Sequence, residues 1–181
     1  MRNEIESFTV GIKTVKILAD ENPESPRNDD NMGVMVAFHR RYDLGDKDHG
    51  IRSENFGGWD EIEDHLRKEM DAAIILPIYL YDHSGITINT KPFSCPWDSG
   101  RVGLIYVTKA KLREEYGVKR MGAATIRKAT AVLEGEVETY DQFLRGDVYG
   151  FVVEDAEGNQ LDSCWGFYGL DYCREEAKSA A

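Results

Sequence analysis

Near the carboxyl end, two strand-like runs, VYGFVVED and QLDSCWGFYG, flank the short segment AEGN. Gly158 and Asn159 supply the backbone freedom of a tight turn, so Val148–Gly169 reads as a β-hairpin. A hairpin forces its strands to pair antiparallel. Elsewhere, strand-like segments come before, between and after only a few helical ones. That order predicts an α+β fold with a mainly antiparallel or mixed sheet, not a regular βαβ alternation.

The remaining elements follow from periodicity and turn chemistry. FTVGIKTVKIL, residues 8–18, partly alternates and reads as a first strand. MGVMVAFHRRY is a strand that turns abruptly basic. WDEIEDHLRKEM spaces Trp59, Ile62, Leu66 and Met70 as one face of a helix. AAIILPIYLYDHSG is expected to be central, although Pro77 lacks an amide hydrogen and argues for an edge or a bulge there. ITINTKPF would return beside it, VGLIYV is a strand, and TKAKLREEYG is a helix capped by Thr108. Residues 123–144 form the longest helical pattern, which Gly135 weakens or breaks. Segments 20–31 and 43–58 are expected to be exposed loops, and 171–181 a short helix or frayed tail. The expectation is one domain over 1–181, with two or three packed helices and the C-terminal hairpin.

Charge is segregated along the chain. There are 33 Asp and Glu against 22 Lys and Arg, a formal net charge of -11 at pH 7. Direct nucleic-acid binding is therefore disfavoured. Residues 101–128 hold eight bases and two acids. Residues 134–162 reverse this with Glu134, Glu136, Glu138, Asp141, Asp147, Glu154, Asp155, Glu157 and Asp162 against Arg145 alone. Such an acidic segment suits a basic partner. Cys95, Cys164 and Cys173 form no CxxC pair, which points to a reducing compartment and no disulfide framework. No apolar window is long enough for a membrane span and the start lacks a signal-like core, so a cytoplasmic protein is expected.

Three places carry residues capable of chemistry. In PFSCPWDSG, Cys95 could act as a nucleophile if His83 took its proton and Asp98 or Asp82 oriented the imidazole. The preferred reading is a structured turn, with Trp97 as its apolar plug and Asp98 accepting local amide hydrogens. In HRRYDLGDKDH, His39, Asp43, Asp46, Asp48 and His49 are suitable ligand types for a divalent metal. The spacing matches neither HExxH nor a calcium loop, so a solvated acidic loop is preferred and no cofactor is expected. Arg40 and Arg41 either pair with those acids or face an anion. DSCWGFYG offers either an aromatic recognition surface or, as preferred, a core strand with Cys164 buried. Phosphate-loop, dinucleotide and GxSxG signatures are absent.

Taken together, NMGVMVAFHRRYDLGD, ILPIYLYDHSGI, SCPWDSGRVGLIYVTKAKLREEYG, GEVETYDQFLRGDVYGFVVED and DSCWGFYG resemble a family of uncharacterised proteins of bacteriophages, prophages and mobile elements. The resemblance spans about residues 20–170. It implies a protein acting in the cytoplasm of a bacterial host, with no assigned chemistry. The expected function is protein–protein interaction, as an acidic inhibitor of a host nucleic-acid-binding or defence protein. The alternative is a small metal- or cysteine-dependent hydrolase using His39, His83, Cys95 and Asp98. Whether the chain is an enzyme, and whether it self-associates, stays open at this point.

Overall fold

The computed structural model describes residues 4–181. In chain order its elements are β1 (Glu4–Val10), β2 (Lys13–Ala19), β3 (Val34–Ala37), α1 (Trp59–Lys68), β4 (Ala72–Asp82), β5 (Ile86–Asn89), β6 (Ser99–Thr108), α2 (Lys109–Tyr116), α3 (Ala123–Leu144), β7 (Val148–Glu154), β8 (Gln160–Tyr168) and α4 (Leu170–Ala180). The class is α+β, and every strand pairing is antiparallel. The strands divide into two four-stranded sheets, ordered β1-β2-β7-β8 and β3-β6-β4-β5. Each sheet belongs to its own compact unit, one of residues 1–28 and 139–181, the other of residues 29–138.

In the first unit, the run expected as one strand is a hairpin. Gly11 adopts a φ of +61°, which an L side chain resists, and the chain reverses so that Phe8 pairs with Val15. Val15 and Ile17 of β2 face the same way as Phe151 and Val153 of β7, because alternate residues share a face. Cys173 and Ala177, one turn apart on α4, close over them. Their small side chains let the helix approach closely. Across the same packing, both carboxylate oxygens of Glu6 accept hydrogen bonds from Arg174, each at 2.7 Å, tying β1 to α4. The C-terminal hairpin forms as expected.

In the second unit, Val102–Val107 of β6 are buried without a break, as the middle of a sheet requires. Val36, Leu104 and Tyr106 pack with Ile62 and Leu66 of α1 to form the core. Pro77 does lie on an inner strand. However, β5 runs alongside only Tyr79–Asp82, so at Pro77 the strand has β6 alone for a neighbour. A register irregularity follows directly, between Ile78 and Tyr79. Proline is thus tolerated because the strand is locally an edge. The Thr108 hydroxyl accepts from Lys111 N at 3.2 Å, and Gly117 at φ +60° ends α2. α3 runs unbroken through Gly135. Segment 43–58 is a loop with one 3-10 turn at Ser53–Asn55, but it is not exposed throughout as expected, since Leu44 and Ile51 are buried. No helix among the described residues is long and apolar enough to cross a membrane.

Candidate functional site

Three of the motif segments meet at one end of the second sheet. β4 ends at Asp82, and the chain turns through His83-Ser84-Gly85, with Ser84 at φ +57° and Gly85 at +145°. His83 N donates to Gly85 O at 3.0 Å, which closes the turn. The loop after β5 then brings Cys95–Asp98 back beside it, pinned where Asp82 N donates to Asp98 O at 2.8 Å. Ser99 Oγ donates to Cys95 O at 2.5 Å and holds the bend.

The outcome is a three-residue contact centred on Asp98. Its Oδ2 lies 3.4 Å from His83 Nδ1 and 3.7 Å from Cys95 Sγ. His83, Cys95 and Asp98 are therefore brought together, but with the carboxylate next to the thiol. A carboxylate is too weak a base to take a thiol proton, and its charge repels the thiolate. The expectations of Trp97 as a plug and Asp98 as an acceptor for local amides are corrected. Trp97 is 92% exposed, and the Asp98 carboxylate faces two side chains instead. His83 stacks on Tyr81, with ring centroids 5.9 Å apart.

Asp82 does not orient His83. Its carboxylate is taken by the Arg41 guanidinium and by the Tyr42 hydroxyl, 3.3 Å from each oxygen. Adjacent positions on an extended strand point to opposite faces, and that separates the pair. Tyr42 in turn stacks on His39, centroids 4.9 Å apart, and His39 Nδ1 accepts from Arg41 N at 3.3 Å. Arg41 thus pairs with a carboxylate from another motif, not one of its own loop.

Of the candidate metal ligands, Asp46 and His49, like His39, have other partners. Asp46 pairs with Met35 through both groups: its carboxylate accepts from Met35 N at 2.8 Å, and its N donates to Met35 O at 2.9 Å. His49 Nδ1 accepts from Ile51 N at 3.0 Å, and burial pushes its pKa below the ordinary value. Asp43 and Asp48 are exposed. Among the described residues no three His, Cys, Asp or Glu side chains are grouped so as to hold a metal ion.

The nine acids of 134–162 do different work. In the second unit the Glu136 carboxylate accepts from Met32 N at 2.7 Å and from Gly33 N, satisfying the backbone ahead of β3. Glu134 and Glu138 are exposed on α3. In the first unit Arg145 pairs with Asp141 at 3.0 Å and Asp147 at 3.3 Å, and Lys16 pairs with Glu154 at 2.7 Å. Asp155 closes the hairpin turn by accepting from the amides of Glu157 and Asn159 at 3.0 and 2.8 Å. Glu157 and Asp162 remain exposed. Burial and the neighbouring Asp147 together push the Tyr149 phenol up to about 12.

β8 departs from the expectation of a core strand. It is the outer strand of its sheet, with Leu161 53% and Trp165 40% exposed and Cys164 exposed as well. Trp165 lies against Gly150 of β7, where an added Cβ would stand 2.2 Å from the indole. Nothing local in DSCWGFYG signals this, since edge status depends on which strands pair. Fold and sites together define an α+β protein of two antiparallel sheets with an exposed edge strand. No family model, curated protein or solved structure matches the chain.

Proposed function

We propose that the protein is an accessory factor of a bacteriophage or mobile element that acts by protein–protein interaction in the bacterial cytoplasm. Its acidic first unit occupies a basic surface of a host nucleic-acid-binding or defence protein. One observation carries the reading: the edge strand β8 exposes Leu161 and Trp165 together with the carboxylate Asp162, and the turn leading into it exposes Glu157. An outer strand offers main-chain groups to an incoming segment, apolar side chains add contact area, and acids select a basic sequence. Residues 1–28 and 139–181 carry 14 acids against 7 Lys and Arg, a formal charge of -7 that would speed encounter with a cationic surface.

The test is capture of partners from nuclease-treated host lysate over a salt series, using the native protein, the charge reversal Glu157→Lys with Asp162→Lys, and Leu161→Asp. A stoichiometric partner that weakens with salt and is lost with both variants supports the reading. Retention of that partner by both variants refutes it.

The hydrolase reading rests on the convergence of His83 and Cys95 at Asp98. It ranks second because the imidazole must reach the thiol to act as its base, whereas the carboxylate stands beside the thiol.

A further inference from the structure

The second unit contains two adjoining hollows that the interaction reading does not use. The first, about 260 Å³, is lined by Phe38, Phe56, Gly57, Gly58, Trp59 and Ile62. Phe38 and Trp59 stack with centroids 5.7 Å apart and planes 22° from parallel, which gives the hollow a continuous aromatic wall. Gly57 and Gly58 contribute backbone alone to its lining. A Cβ on Gly58 would meet nothing within 4 Å.

The second hollow, about 430 Å³, shares Phe38 and Ser53 with the first and is otherwise lined chiefly by His39, Arg40, Tyr42 and Asp43. Among the described residues, Arg40 and Asp43 make no side-chain hydrogen bond or ion pair. Arg41, one residue along, is committed to Asp82. An uncommitted cation and an uncommitted carboxylate thus share one polar hollow beside an aromatic slot. The combined volume falls in the range of small-ligand sites.

We propose that the pair of hollows binds an aromatic α-amino acid. The ring enters the slot of Phe38, Phe56 and Trp59, where stacked and edge contacts favour an aromatic group. The α-carboxylate is received by the Arg40 guanidinium, whose planar fork matches it. The α-ammonium is received by Asp43. A ligand bearing only one charge would leave the other side chain without its counter-ion, so the chemistry selects a zwitterion over a plain aromatic acid or amine.

The experiment is calorimetric titration of the full chain with L-phenylalanine, 2-phenylethylamine, 3-phenylpropionate and L-alanine, which remove nothing, the carboxylate, the ammonium and the ring in turn. Binding of L-phenylalanine at about millimolar concentration or tighter is expected, with each of the other three at least about tenfold weaker. Arg40→Gln should weaken L-phenylalanine about tenfold and leave 2-phenylethylamine unchanged, while Asp43→Asn should spare 3-phenylpropionate in the same way. Gly58→Leu, whose Cβ has open space around it, should place its side chain against the slot and weaken binding of all ring-bearing probes, with an unchanged circular dichroism spectrum. Absence of heat with L-phenylalanine, or equal affinity for native protein and Arg40→Gln, overturns the proposal.

Discussion

Replacing Gly150 by alanine tests whether β8 sits as described. The new Cβ would lie 2.2 and 2.4 Å from Cε3 and Cδ2 of Trp165 and 2.9 Å from the Cys164 carbonyl oxygen. The indole can swing outward, since it is already 40% exposed, but the carbonyl belongs to the β7–β8 ladder. Overpacking of this kind costs about 2–3 kcal/mol, reduced somewhat by the better strand propensity of alanine. For a chain of this length that corresponds to a Tm lowered by roughly 4–12 °C. The decisive measurement is a double-mutant cycle by urea denaturation with Gly150→Ala, Trp165→Ala and both together. Without the indole only the carbonyl contact remains, so alanine at 150 should cost about 1–2 kcal/mol less than it does in the native background. Additivity within about 0.5 kcal/mol would refute the packing of Trp165 over Gly150. Because the displaced indole changes the exposed apolar surface of β8, the single variant should also weaken partner capture.

Four further outcomes follow from the same geometry. Gly103→Ala would set a Cβ 2.4 Å from the Val36 carbonyl oxygen and 3.1 Å from Ala37 Cα, both backbone atoms, so β3 must part from β6; a loss of about 3 kcal/mol in denaturation is expected, and a native-like midpoint would contradict the pairing. Cys173 is fully buried and its thiol is pushed up to about 11 by burial, so a disulfide reagent should label Cys95 and Cys164 in the native protein and Cys173 only on unfolding. The Arg174 hydrogen bond holds the Glu6 carboxyl below its ordinary 4.5, so its stabilisation is present above that pH and lost as pH falls through the lower folded-state value; Glu6→Gln should flatten the acid limb of the Tm profile, and an unaltered limb would show that the clamp is absent. Asp98→Asn removes the charge beside the Cys95 thiol and should speed its alkylation several-fold at neutral pH, measured by mass spectrometry of the labelled peptide; an unchanged rate would argue against the contact.

Most elements were legible because their signals are local. The Thr108 cap, the Gly117 terminus, the face of Ile62 and Leu66 on α1 and the Gly158-Asn159 turn all depend on residues within a few positions of one another. The division into two sheets was not legible. β2 pairs with β7, more than a hundred residues away, and no periodicity within either strand names that partner. The same limit explains the first hairpin: FTVGIKTVKIL alternates well enough to read as one strand, and only the positive φ of Gly11 separates two. It also explains β8. A strand rich in Trp, Phe and Tyr reads as core, and its exposure comes from standing last in the order β1-β2-β7-β8.

The candidate site shows how composition can be right while its order stays hidden. The sequence supplies His83, Cys95 and Asp98, and the β4–β5 turn with the following loop brings them together. The geometry assigns Asp98 a place beside the thiol and commits Asp82 to Arg41 and Tyr42. That arrangement disfavours nucleophile activation because the thiol faces the weakest base of the set, the Asp98 carboxylate. The same logic separates the acids. Asp141, Asp147, Glu154 and Asp155 are spent on cations and a turn, so within the first unit the electrostatic reach of the segment toward a partner falls to Glu157 and Asp162. Those two, with Leu161 and Trp165, are where the interaction reading stands or fails.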